Sequence, residues 1–334
     1  MDTADVLALI EELPGHRVAV IGDAIADEFV YGRVARVSRE APVLILEYDS
    51  TEVVPGGAGN AANNVAAMGG SALLAAVLGR DEPARRLLKS LHRRVNPRTV
   101  IRTSRRGTTI KTRILAGGIH SAKQQVVRID RVANGAIDKS TRSAFFRAAV
   151  SAAMRSDAVL ISDYGGTLVS PAVVSKLRRE LKAAGHVIPI LVDSRYRLLS
   201  YSGLTACTPN ESEVEHALGV RINDDARVLE RAGRQILEQT RMQAVLVTRG
   251  SRGMALFVPG EPTVHIPIYG SDEIADVTGA GDTVMATMAL ALAAGATFEL
   301  AARLANYAGG LVVMKRGTAT VSAAELRSAV KREG

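Results

Sequence analysis

Short runs of apolar, β-branched residues alternate with helix-forming stretches along most of this chain. The runs predicted to form buried strands are residues 17–22, 71–78, 158–162, 187–193 and 244–248. Helices are predicted at residues 59–68, 82–94, 141–155, 171–184 and 224–239, with a further apolar helix at about 283–294. Strands that are apolar on both faces must be covered on both sides, so the pattern predicts a mostly parallel α/β sheet between layers of helices. Ligands of such sheets bind beyond the carboxyl ends of the strands.

Two segments interrupt this alternation. Residues 42–47 and 109–130 have the pattern of extended chain with turns. They are predicted to pair into a small antiparallel sheet, either a lid or a dimer surface; a surface hairpin without functional consequence is the alternative. Because there is no internal repeat or low-complexity linker, we expect a single domain over residues 1–334, with lid segments at about 34–50 and 98–130 inserted in it.

The composition is that of a globular protein. Of the 334 residues, 47% are hydrophobic and 23% are charged, which argues against an intrinsically disordered chain. The longest uncharged run, residues 283–298, is short for a membrane span, and the first residues lack the pattern of a secretory signal. Cys207 is the only cysteine, so no intrachain disulfide can form. We therefore expect a cytoplasmic protein with no membrane partner.

The chain is basic, with a net charge of +8 and a concentration of arginines between residues 85 and 106. Such a cluster could bind nucleic acid. However, no aromatic side chains are interleaved with these charges, and only 4% of all residues are aromatic. We expect no nucleic-acid partner. A solvated basic face and the attraction of phosphorylated small molecules are the two interpretations that stay open.

The stretch Asp276-Val277-Thr278-Gly279-Ala280-Gly281-Asp282-Thr283 places two glycines and an alanine before an acidic residue, at the start of a predicted helix. The first amides of a helix have no intrahelical acceptor and carry partial positive charge, so Gly279, Ala280 and Gly281 form a candidate anion site. The carboxylate of Asp282 could accept a proton beside it. These two groups are those needed to move a phosphoryl group onto a hydroxyl. An ordinary helix start is the alternative interpretation.

Two further turns are candidates for ligand binding, one directly after the first predicted strand and one directly before a predicted helix. Asp23 and Asp27 come directly after the first strand, where carboxylates could accept hydrogen bonds from sugar hydroxyls. Gly56 and Gly57 form a second glycine-rich turn that leads to Asn60, whose amide both donates and accepts. Each of these turns by itself could equally be a tight turn without a ligand.

A third segment, Asn210 with Glu213, also follows a strand. These residues could orient a hydrated magnesium ion between phosphates, because Mg²⁺ prefers oxygen ligands and retains water. They could equally cap a helix. Two other nucleotide motifs are excluded, since the chain has no Gly-Lys pair and no Gly-x-Gly-x-x-Gly after the first strand. No His-Glu-x-x-His or Cys/His cluster indicates a transition-metal site.

Taken together, these motifs resemble those of the ribokinase-like (PfkB) carbohydrate kinases, in the same order and over nearly the whole chain. Within that family, the chain is most similar to the kinases that phosphorylate D-glycero-β-D-manno-heptose 7-phosphate at its anomeric hydroxyl, a step of ADP-heptose biosynthesis. The stretches that carry this likeness are residues 37–43, 111–113, 124–130, 162–164 and 208–210. Bifunctional members also carry a nucleotidyltransferase domain, which we do not expect in a chain of this length.

The resemblance implies a three-layer α/β/α ribokinase-like sandwich with a small β lid, ATP and Mg²⁺ as cofactors, a sugar phosphate as the acceptor, and a homodimer formed through the lid. It implies that Asp282 is the base and that the amides of Gly279, Ala280 and Gly281 hold the transferring phosphoryl group. The residues implied to bind substrate are Asp23, Asp27, Gly56, Gly57, Asn60, Lys111, Arg113, Arg128 and Asp163. Those implied to bind nucleotide are Asn210, Glu213, Thr248, Gly250, Gly253 and Asn306, with residues 269–272 and 306–310 at its border and Glu213 holding Mg²⁺ through water.

The chain departs from the heptose-kinase pattern in two places. It has Asp163-Tyr164-Gly165-Gly166-Thr167 where that pattern has Asp-Tyr-Ala-Lys-Gly, and Asp193-Ser194-Arg195 where that pattern has Asp-Pro-Lys. Two lysines are therefore missing, and the arginine that replaces one of them is not a neutral exchange. The sugar and its anomer stay open, as do the oligomeric state and any monovalent-ion requirement.

Two alternatives to a heptose phosphate kinase stay open. A kinase for another sugar, sugar phosphate or nucleoside is the alternative within the same class, and a non-catalytic sugar- or nucleotide-binding regulator is the alternative outside it. An acceptor that already carries phosphate would need a cationic subsite. The candidates for this subsite are Arg36, Arg39, Lys111, Arg113, Arg128 and Arg195.

Overall fold

The computed structural model describes residues 3–117, 123–133, 135, 137–270 and 276–333. Its strands are β1 (Arg17–Gly22), β2 (Ala24–Val37), β3 (Leu44–Gly57), β4 (Ser71–Ala75), β5 (Val77–Gly79), β6 (Val95–Asn96), β7 (Ile101–Thr103), β8 (Ile110–Gly117), β9 (Gln124–Arg131), β10 (Ala158–Asp163), β11 (Ile190–Ser194), β12 (Ala206–Cys207), β13 (Ala244–Thr248), β14 (Met254–Phe257) and β15 (Val264–Ile266). Its helices are α1 (Thr3–Glu12), α2 (Ala58–Ala67), α3 (Glu82–Lys89), α4 (Lys139–Ala153), α5 (Pro171–Ala183), α6 (Glu211–Leu218), α7 (Ala226–Thr240), α8 (Ala280–Ala293), α9 (Phe298–Val313) and α10 (Ala323–Glu333).

The central sheet has nine strands in the order β15-β14-β13-β12-β11-β10-β1-β4-β6. All neighbouring strands from β6 to β13 are parallel, and only β14 and β15 at one edge run antiparallel. The prediction of a mostly parallel sheet is therefore confirmed. Because all these carboxyl ends meet at one edge, the segments that follow β1, β10, β11, β12 and β13 are brought together there.

Helices cover both faces of this sheet, as the apolar strands predicted. In β1, the side chains of Val18 and Val20 pack in a core with helices α1, α2, α3, α8, α9 and α10. Those of Ala19 and Ile21 pack in a second core with α4, α5, α6 and α7. Both sets are almost fully buried, so neighbouring residues of one strand stabilise opposite faces of the sheet. This confirms the three-layer α/β/α architecture. No helix in the described ranges is both long and apolar enough to cross a bilayer.

A second sheet of four strands, in the order β3-β2-β8-β9, lies beyond the carboxyl end of β1. Strand β2 pairs antiparallel with β3 and parallel with β8, whereas β8 and β9 are antiparallel. The expectation of a wholly antiparallel sheet is thus wrong for its central pair. The chain makes a long crossover between β2 and β8, through β4 and α3, and such a crossover lets the two strands run in the same direction.

The second sheet also differs in extent from the predicted lid segments at about 34–50 and 98–130. It begins at Ala24 and includes all of β3, while Ile101–Thr103 pairs with β5 in a separate two-stranded sheet. Residues 118–122 of the second predicted segment lie outside the described residues. We call strands β2, β3, β8 and β9 the lid sheet from here on.

Several predicted boundaries shift in the structure. The run 71–78 divides at Ala76 into β4 and β5, which lie in different sheets. Helix α3 ends at Lys89 rather than 94, and β11 begins at Ile190 rather than 187. Helix α8 begins at Ala280 instead of about 283, so that Asp282 lies within its first turn. This last shift matters most, because it places the carboxylate directly at the helix N-terminus.

Candidate active site

Helix α8 begins at the carboxyl edge of the central sheet with a glycine in the left-handed conformation. Gly279 is its N-cap residue, with φ 78°. A Cβ atom at this position would lie 2.5 Å from Nδ2 of Asn60, so both the torsion and the space require glycine. The amide of Ala280 donates to the Val277 carbonyl at 3.2 Å, whereas the amides of Gly279 and Gly281 have no acceptor among the described residues. Two of the three predicted amides are therefore free to donate to an anion.

Asp282 lies beside these amides and is only 4% exposed. Its Oδ2 accepts a hydrogen bond from Nδ2 of Asn60 at 3.0 Å, and its Oδ1 accepts one from the Tyr164 hydroxyl at 3.0 Å. Burial raises the pKa of Asp282 from 3.8 to about 7; the hydrogen bonds from Asn60 and Tyr164 oppose this rise, as does the charge of Lys111, while the charge of Asp27 adds to it. A carboxyl group with a pKa near 7 can take a proton from a hydroxyl at neutral pH.

The amide of Asn60 is held in one orientation by its neighbour on α2. Its Oδ1 accepts a hydrogen bond from Nδ2 of Asn64, whose own Oδ1 accepts from the Val321 amide. Since Oδ1 is occupied in this way, Nδ2 of Asn60 must face Asp282 and the Gly279 carbonyl. Asn60 and Asn64 are fully buried, so this row of hydrogen bonds fixes one side of the Asp282 carboxylate.

A cavity of about 550 Å³ opens in front of the α8 N-terminus. The residues predicted to bind nucleotide all line it, namely Asn210, Glu213, Thr248, Gly250, Gly253 and Asn306. So do Gly279, Ala280, Gly281 and Asp282. Among the residues predicted to border the nucleotide, Gly309 and Gly310 line the cavity, while Ser271 and Asp272 lie outside the described residues. We call this space the larger cavity.

Asn210 and Glu213 do form the helix cap that was the alternative interpretation. Oδ1 of Asn210 accepts from the Glu213 amide at 2.9 Å, and Oε2 of Glu213 accepts from the Asn210 amide at 3.0 Å. The cap leaves Oε1 of Glu213 without a hydrogen-bond donor among the described residues. Burial raises the pKa of Glu213. The cap and a role in the cavity are therefore compatible, because one oxygen serves the helix and the other stays free.

Asp193, at the end of β11, is a candidate that we did not predict as a site residue. It lines the larger cavity, and its carboxylate accepts no hydrogen bond from a described residue. Burial raises its pKa well above 3.8, and the negative charges of Glu213 and Asp282 raise it further. A buried carboxylate whose pKa is raised by neighbouring carboxylates in this way fits a divalent cation, and Mg²⁺ is commonly held by one or two carboxylates together with phosphate oxygens. The described residues contain no group of three or more such ligands.

A second cavity, of about 210 Å³, lies on the other side of Tyr164 between the lid sheet and the central sheet. Asp23 lines it, as predicted for an acceptor residue. Four cationic side chains also line it, namely Arg106, Lys111, Arg128 and Arg195. Lys111, Arg128 and Arg195 border the larger cavity too, so the two spaces adjoin. We call this second space the smaller cavity.

Lys111 stands at the junction of the two cavities. Its Nζ lies 4.9 Å from the centroid of the Tyr164 ring, a cation–π distance. Burial lowers the pKa of Lys111, and the charge of Asp27 opposes this effect. The ammonium group thus lies close to Asp282 and to both cavities, where it could neutralise negative charge on a transferring group.

Four residues predicted to bind the acceptor line neither cavity, namely Asp27, Gly56, Gly57 and Asn60. Asp27 is 5% exposed and forms an ion pair of 2.7 Å with Arg113, and its other oxygen accepts from the Thr318 hydroxyl at 3.1 Å. A Cβ atom on Gly56 would lie 2.2 Å from that carboxylate. These residues hold the site together in the structure, and their direct contact with a sugar stays a prediction.

Asp163 is also engaged in internal contacts. Its carboxylate pairs with Arg197 at 2.6 Å and accepts from the hydroxyls of Ser194 and Tyr201 at 2.8 and 2.7 Å. It accepts from the Gly165 amide as well, and the residue is 2% exposed. These contacts indicate that Asp163 holds the turn after β10, and that a direct contact with substrate would have to displace one of them.

The cationic candidates divide into three groups. Lys111, Arg128 and Arg195 line both cavities. Arg113 lines the larger cavity, but the residue is 8% exposed and its guanidinium group is bound to Asp27. Arg36 and Arg39 are exposed on the lid sheet and its turn, and line neither cavity.

Three residues of the site were missed in reading the sequence, namely Arg106, Tyr164 and Asp193. Tyr164 and Asp193 come at the carboxyl ends of β10 and β11. Their positions could have been found by taking the residue at the end of every predicted parallel strand as a candidate. Arg106 lies in a loop after β7, and no local pattern marks it.

Comparison with known proteins shows the family of this chain. A family model described as pfkB family carbohydrate kinase matches residues 16–325. Two similar relatives are the Bifunctional protein HldE of Caulobacter vibrioides, which is 42% identical over 316 residues, and that of Desulfatibacillum aliphaticivorans, which is 40% identical over 314 residues. Each alignment covers 93% of this chain but only 63% and 62% of those relatives. The chain therefore spans less than two thirds of their length.

Solved structures show the same fold. Arabidopsis thaliana ribokinase complexed with ribose and ATP has a TM-score of 0.69 and 19% identity, over 95% of this chain and 98% of that one. Phosphofructokinase-2 from Escherichia coli in complex with fructose-6-phosphate has a TM-score of 0.70 and 18% identity, with the same coverage. The chain belongs to the pfkB family of carbohydrate kinases.

Proposed function

We propose that this chain transfers the γ-phosphoryl group of ATP to a hydroxyl of a sugar phosphate, with Mg²⁺ as the metal ion. We further propose that the acceptor is D-glycero-β-D-manno-heptose 7-phosphate, phosphorylated at its anomeric hydroxyl to give the 1,7-bisphosphate. The observation that carries the proposal is Asp282, a buried carboxyl group with a pKa of about 7, which lies beside two free helix amides in the larger cavity, next to the Tyr164 and Lys111 side chains that line both cavities.

Asp282 acts as the base in this proposal. It takes the proton of the acceptor hydroxyl while the hydroxyl oxygen forms a bond to the γ-phosphorus, and the bond from that phosphorus to the bridging oxygen of ADP breaks. The proton stays on the carboxyl group and ADP leaves. A placed base typically contributes about 10²- to 10⁴-fold to the rate, with positioning and charge stabilisation supplying the rest.

The donor occupies the larger cavity. The amides of Gly279 and Gly281 direct partial positive charge at the transferring phosphoryl group, and Ala280 lies between them as the first residue of the helix. Asp193 and the free oxygen of Glu213 hold Mg²⁺, directly or through water, which screens the charge of the phosphates. This role for Asp193 extends the predicted site by one residue.

The acceptor occupies the smaller cavity. Asp23 accepts hydrogen bonds from sugar hydroxyls, and the phosphate that the sugar already carries lies among Arg106, Arg128 and Arg195. Arg106 is of particular interest because its Nη1 donates to the carbonyl of Gly166 at 3.3 Å. It therefore lies beside the place where related kinases have a lysine that this chain lacks, and it supplies the cation in that place.

A coupled ADP-release assay over hexose and heptose phosphates, each paired with its unphosphorylated sugar, tests this function. We expect turnover with at least one sugar phosphate and a much lower kcat/KM for the matching free sugar. Arg106→Ala should raise the KM for the sugar phosphate at least about tenfold, since a charge-assisted hydrogen bond is lost. Arg105→Ala is the matched control, because Arg105 is 72% exposed and pairs with Asp138 outside the cavity.

The other outcomes of this assay decide between the alternatives. Equal turnover of free and phosphorylated sugar would contradict the phosphate subsite and favour a kinase of another sugar or nucleoside. Absence of transfer and of nucleotide hydrolysis over the whole panel would refute the enzyme and favour a non-catalytic binding protein.

We also propose that two copies of the chain associate through the lid sheet. Of the 13 large apolar side chains that are exposed among the described residues, nine lie within residues 34–48 or 126–132. Val127 and Ile129 on β9 are 45% and 49% exposed, and they alternate with Arg128, which faces the cavities. Such a concentration of exposed apolar side chains on one sheet and its turns is typical of an interface. Light scattering should show that the wild type is a dimer and that Ile129→Lys is a monomer. Val187→Lys, at an exposed position outside the lid sheet, should remain a dimer. A monomeric wild type would contradict the proposal.

A further inference from the structure

The Asp282 carboxylate is held from two sides by donors that come from different parts of the fold. Asn60 on α2 occupies one oxygen, and the hydroxyl of Tyr164, in the turn after β10, occupies the other. We infer that Tyr164 is a positioning residue for the reaction, whose hydroxyl holds Oδ1 of Asp282 in the orientation that lets the carboxylate receive the acceptor's proton. This inference rests on the proposed function, since it assigns Tyr164 a part in the same chemistry.

The backbone on both sides of Tyr164 is fixed by two carboxylates. Oδ2 of Asp23 accepts from the amides of Tyr164 and Gly166, both at 3.0 Å. Oδ1 of Asp163 accepts from the intervening Gly165 amide at 3.1 Å. Thr167, the next residue, has φ 63°, an uncommon torsion for a residue with a side chain. A turn that carries such strain persists only where its surroundings determine it closely, and here it delivers one hydroxyl to Asp282.

The ring of Tyr164 is confined on two sides. A Cβ atom on Gly57 would lie 3.3 Å from Cε2 of the ring, and the Gly57 φ of 56° also requires glycine. The Lys111 ammonium group lies over the ring face. These two contacts and the fixed backbone limit the movement of the ring, which lines both cavities. Gly57 is glycine chiefly because of this torsion and of the Asp23 carbonyl oxygen, which would lie 2.5 Å from a Cβ atom, and the Tyr164 ring adds a third, weaker restriction.

The charged groups around Asp282 define the effect that loss of this hydroxyl should have. The charged side chains that face Asp282 are those of Asp27, Asp193 and Lys111. Its hydrogen-bond donors are Tyr164 and Asn60. Burial raises the pKa of Tyr164 well above 10, so its hydroxyl stays a donor at every working pH. Its hydrogen bond lowers the pKa of Asp282, and removing it should therefore raise that pKa.

Tyr164→Phe is the direct test, because it keeps the ring and removes the hydroxyl. We expect kcat to fall at least about tenfold at pH 7, the acid limb of the kcat profile to move up by about one pH unit, and the KM for ATP to change less than about threefold. The titration of Asp282, followed by carbon-13 NMR of labelled aspartate and assigned with Asp282→Asn, should move in the same direction.

Tyr201→Phe is the matched control, because it also removes a tyrosine hydroxyl bonded to a buried aspartate, Asp163. It should lower stability without moving the acid limb or the Asp282 titration. A Tyr164→Phe enzyme with wild-type kcat and an unshifted limb would overturn the inference, and so would a fall in kcat with no change in either titration. If no acceptor in the panel were phosphorylated, the proposed function would fall, while the NMR titration would still decide whether Tyr164 acts on Asp282.

Discussion

Replacing Asp282 with asparagine should make the protein more stable above neutral pH, although the proposed function requires that it remove activity. The Asp282 carboxylate is 4% exposed, and burial is the cause of its raised pKa. An asparagine in its place could still accept from Asn60 and donate to the Tyr164 oxygen. The substitution therefore removes a buried charge and keeps the hydrogen bonds.

The magnitude follows from the two pKa values of Asp282. The carboxyl group has a pKa of 3.8 in an unfolded chain and about 7 in the folded one. Below pH 3.8 both states hold the proton. Between pH 3.8 and 7 the unfolded chain releases it and the folded chain does not, so stability is lost as pH rises towards 7 and then levels off. At about 1.4 kcal/mol per pH unit, this loss amounts to about 4 kcal/mol in full and to about 3 kcal/mol between pH 5 and pH 8.

Denaturant unfolding of the wild type and of Asp282→Asn at pH 5 and pH 8 measures this effect. The free energy of unfolding of the variant minus that of the wild type should increase by about 3 kcal/mol from pH 5 to pH 8. Comparing two pH values removes the part of the difference that comes from packing. A difference that is the same at both pH values, or that falls at pH 8, would refute the account of Asp282 as a buried carboxylate with a raised pKa.

Two further substitutions test the surroundings of Asp282. Gly279→Ala should reduce turnover by roughly 10²-fold, because its Cβ would displace Asn60. Gly295→Ala is the control, because Gly295 also has a positive φ, of 84°, but a Cβ atom there would have no other atom within 4 Å. It should cost only the backbone strain of about 1 kcal/mol and leave turnover intact. Arg197→Met should destabilise the protein by about 3 kcal/mol at pH 7, because it leaves Asp163 buried without its cation. Burial tends to raise the pKa of Asp163, but hydrogen bonds, chiefly from Arg197, lower it below 3.8. The difference in the free energy of unfolding between the wild type and Arg197→Met should therefore vanish as the pH falls through the lowered pKa of Asp163 and the carboxylate takes up a proton. Normal turnover in Gly279→Ala, or an effect of Arg197→Met that persists in acid, would contradict these assignments.

The layers of the fold could be predicted because burial on both faces leaves a direct mark on the sequence. In β1 residues 18–21 and in β10 residues 158–161 are all apolar, and both strands are central and covered on both sides. The lid sheet was harder, since β9 is exposed along its whole length and its apolar residues face solvent. The parallel pairing of β2 with β8 depends on contacts between residues far apart in the chain, such as Asp27 with Lys111, which no local pattern contains.

The turn at the start of α8 could also be predicted from the sequence, because two glycines directly before an apolar helix leave room for an anion at its first amides. The role of the residues that hold Asp282 and Arg113 in place could not be predicted in this way. Asn60 and Asp27 were predicted to bind a sugar, which stays a prediction; the structure adds that they contact Asp282 and Arg113, respectively. Polar residues that hold a site and polar residues that touch a ligand have the same chemistry, so only their position in the fold separates them. Tyr164 was missed for the same reason, because its role depends on one distance to Asp282.

The central claim is that Asp282 accepts the proton of a sugar-phosphate hydroxyl during transfer from ATP. The most direct measurement is the rate of ADP release by the wild type and by Asp282→Asn, with the accepted sugar phosphate, between pH 5 and pH 9. We predict that the wild-type rate rises with pH through an acid limb near pH 7, as the raised pKa of Asp282 requires. We also predict that Asp282→Asn is slower by about 10²- to 10⁴-fold and has a similar KM for ATP. A variant with near-normal turnover, or a wild-type rate without an acid limb, would contradict the account.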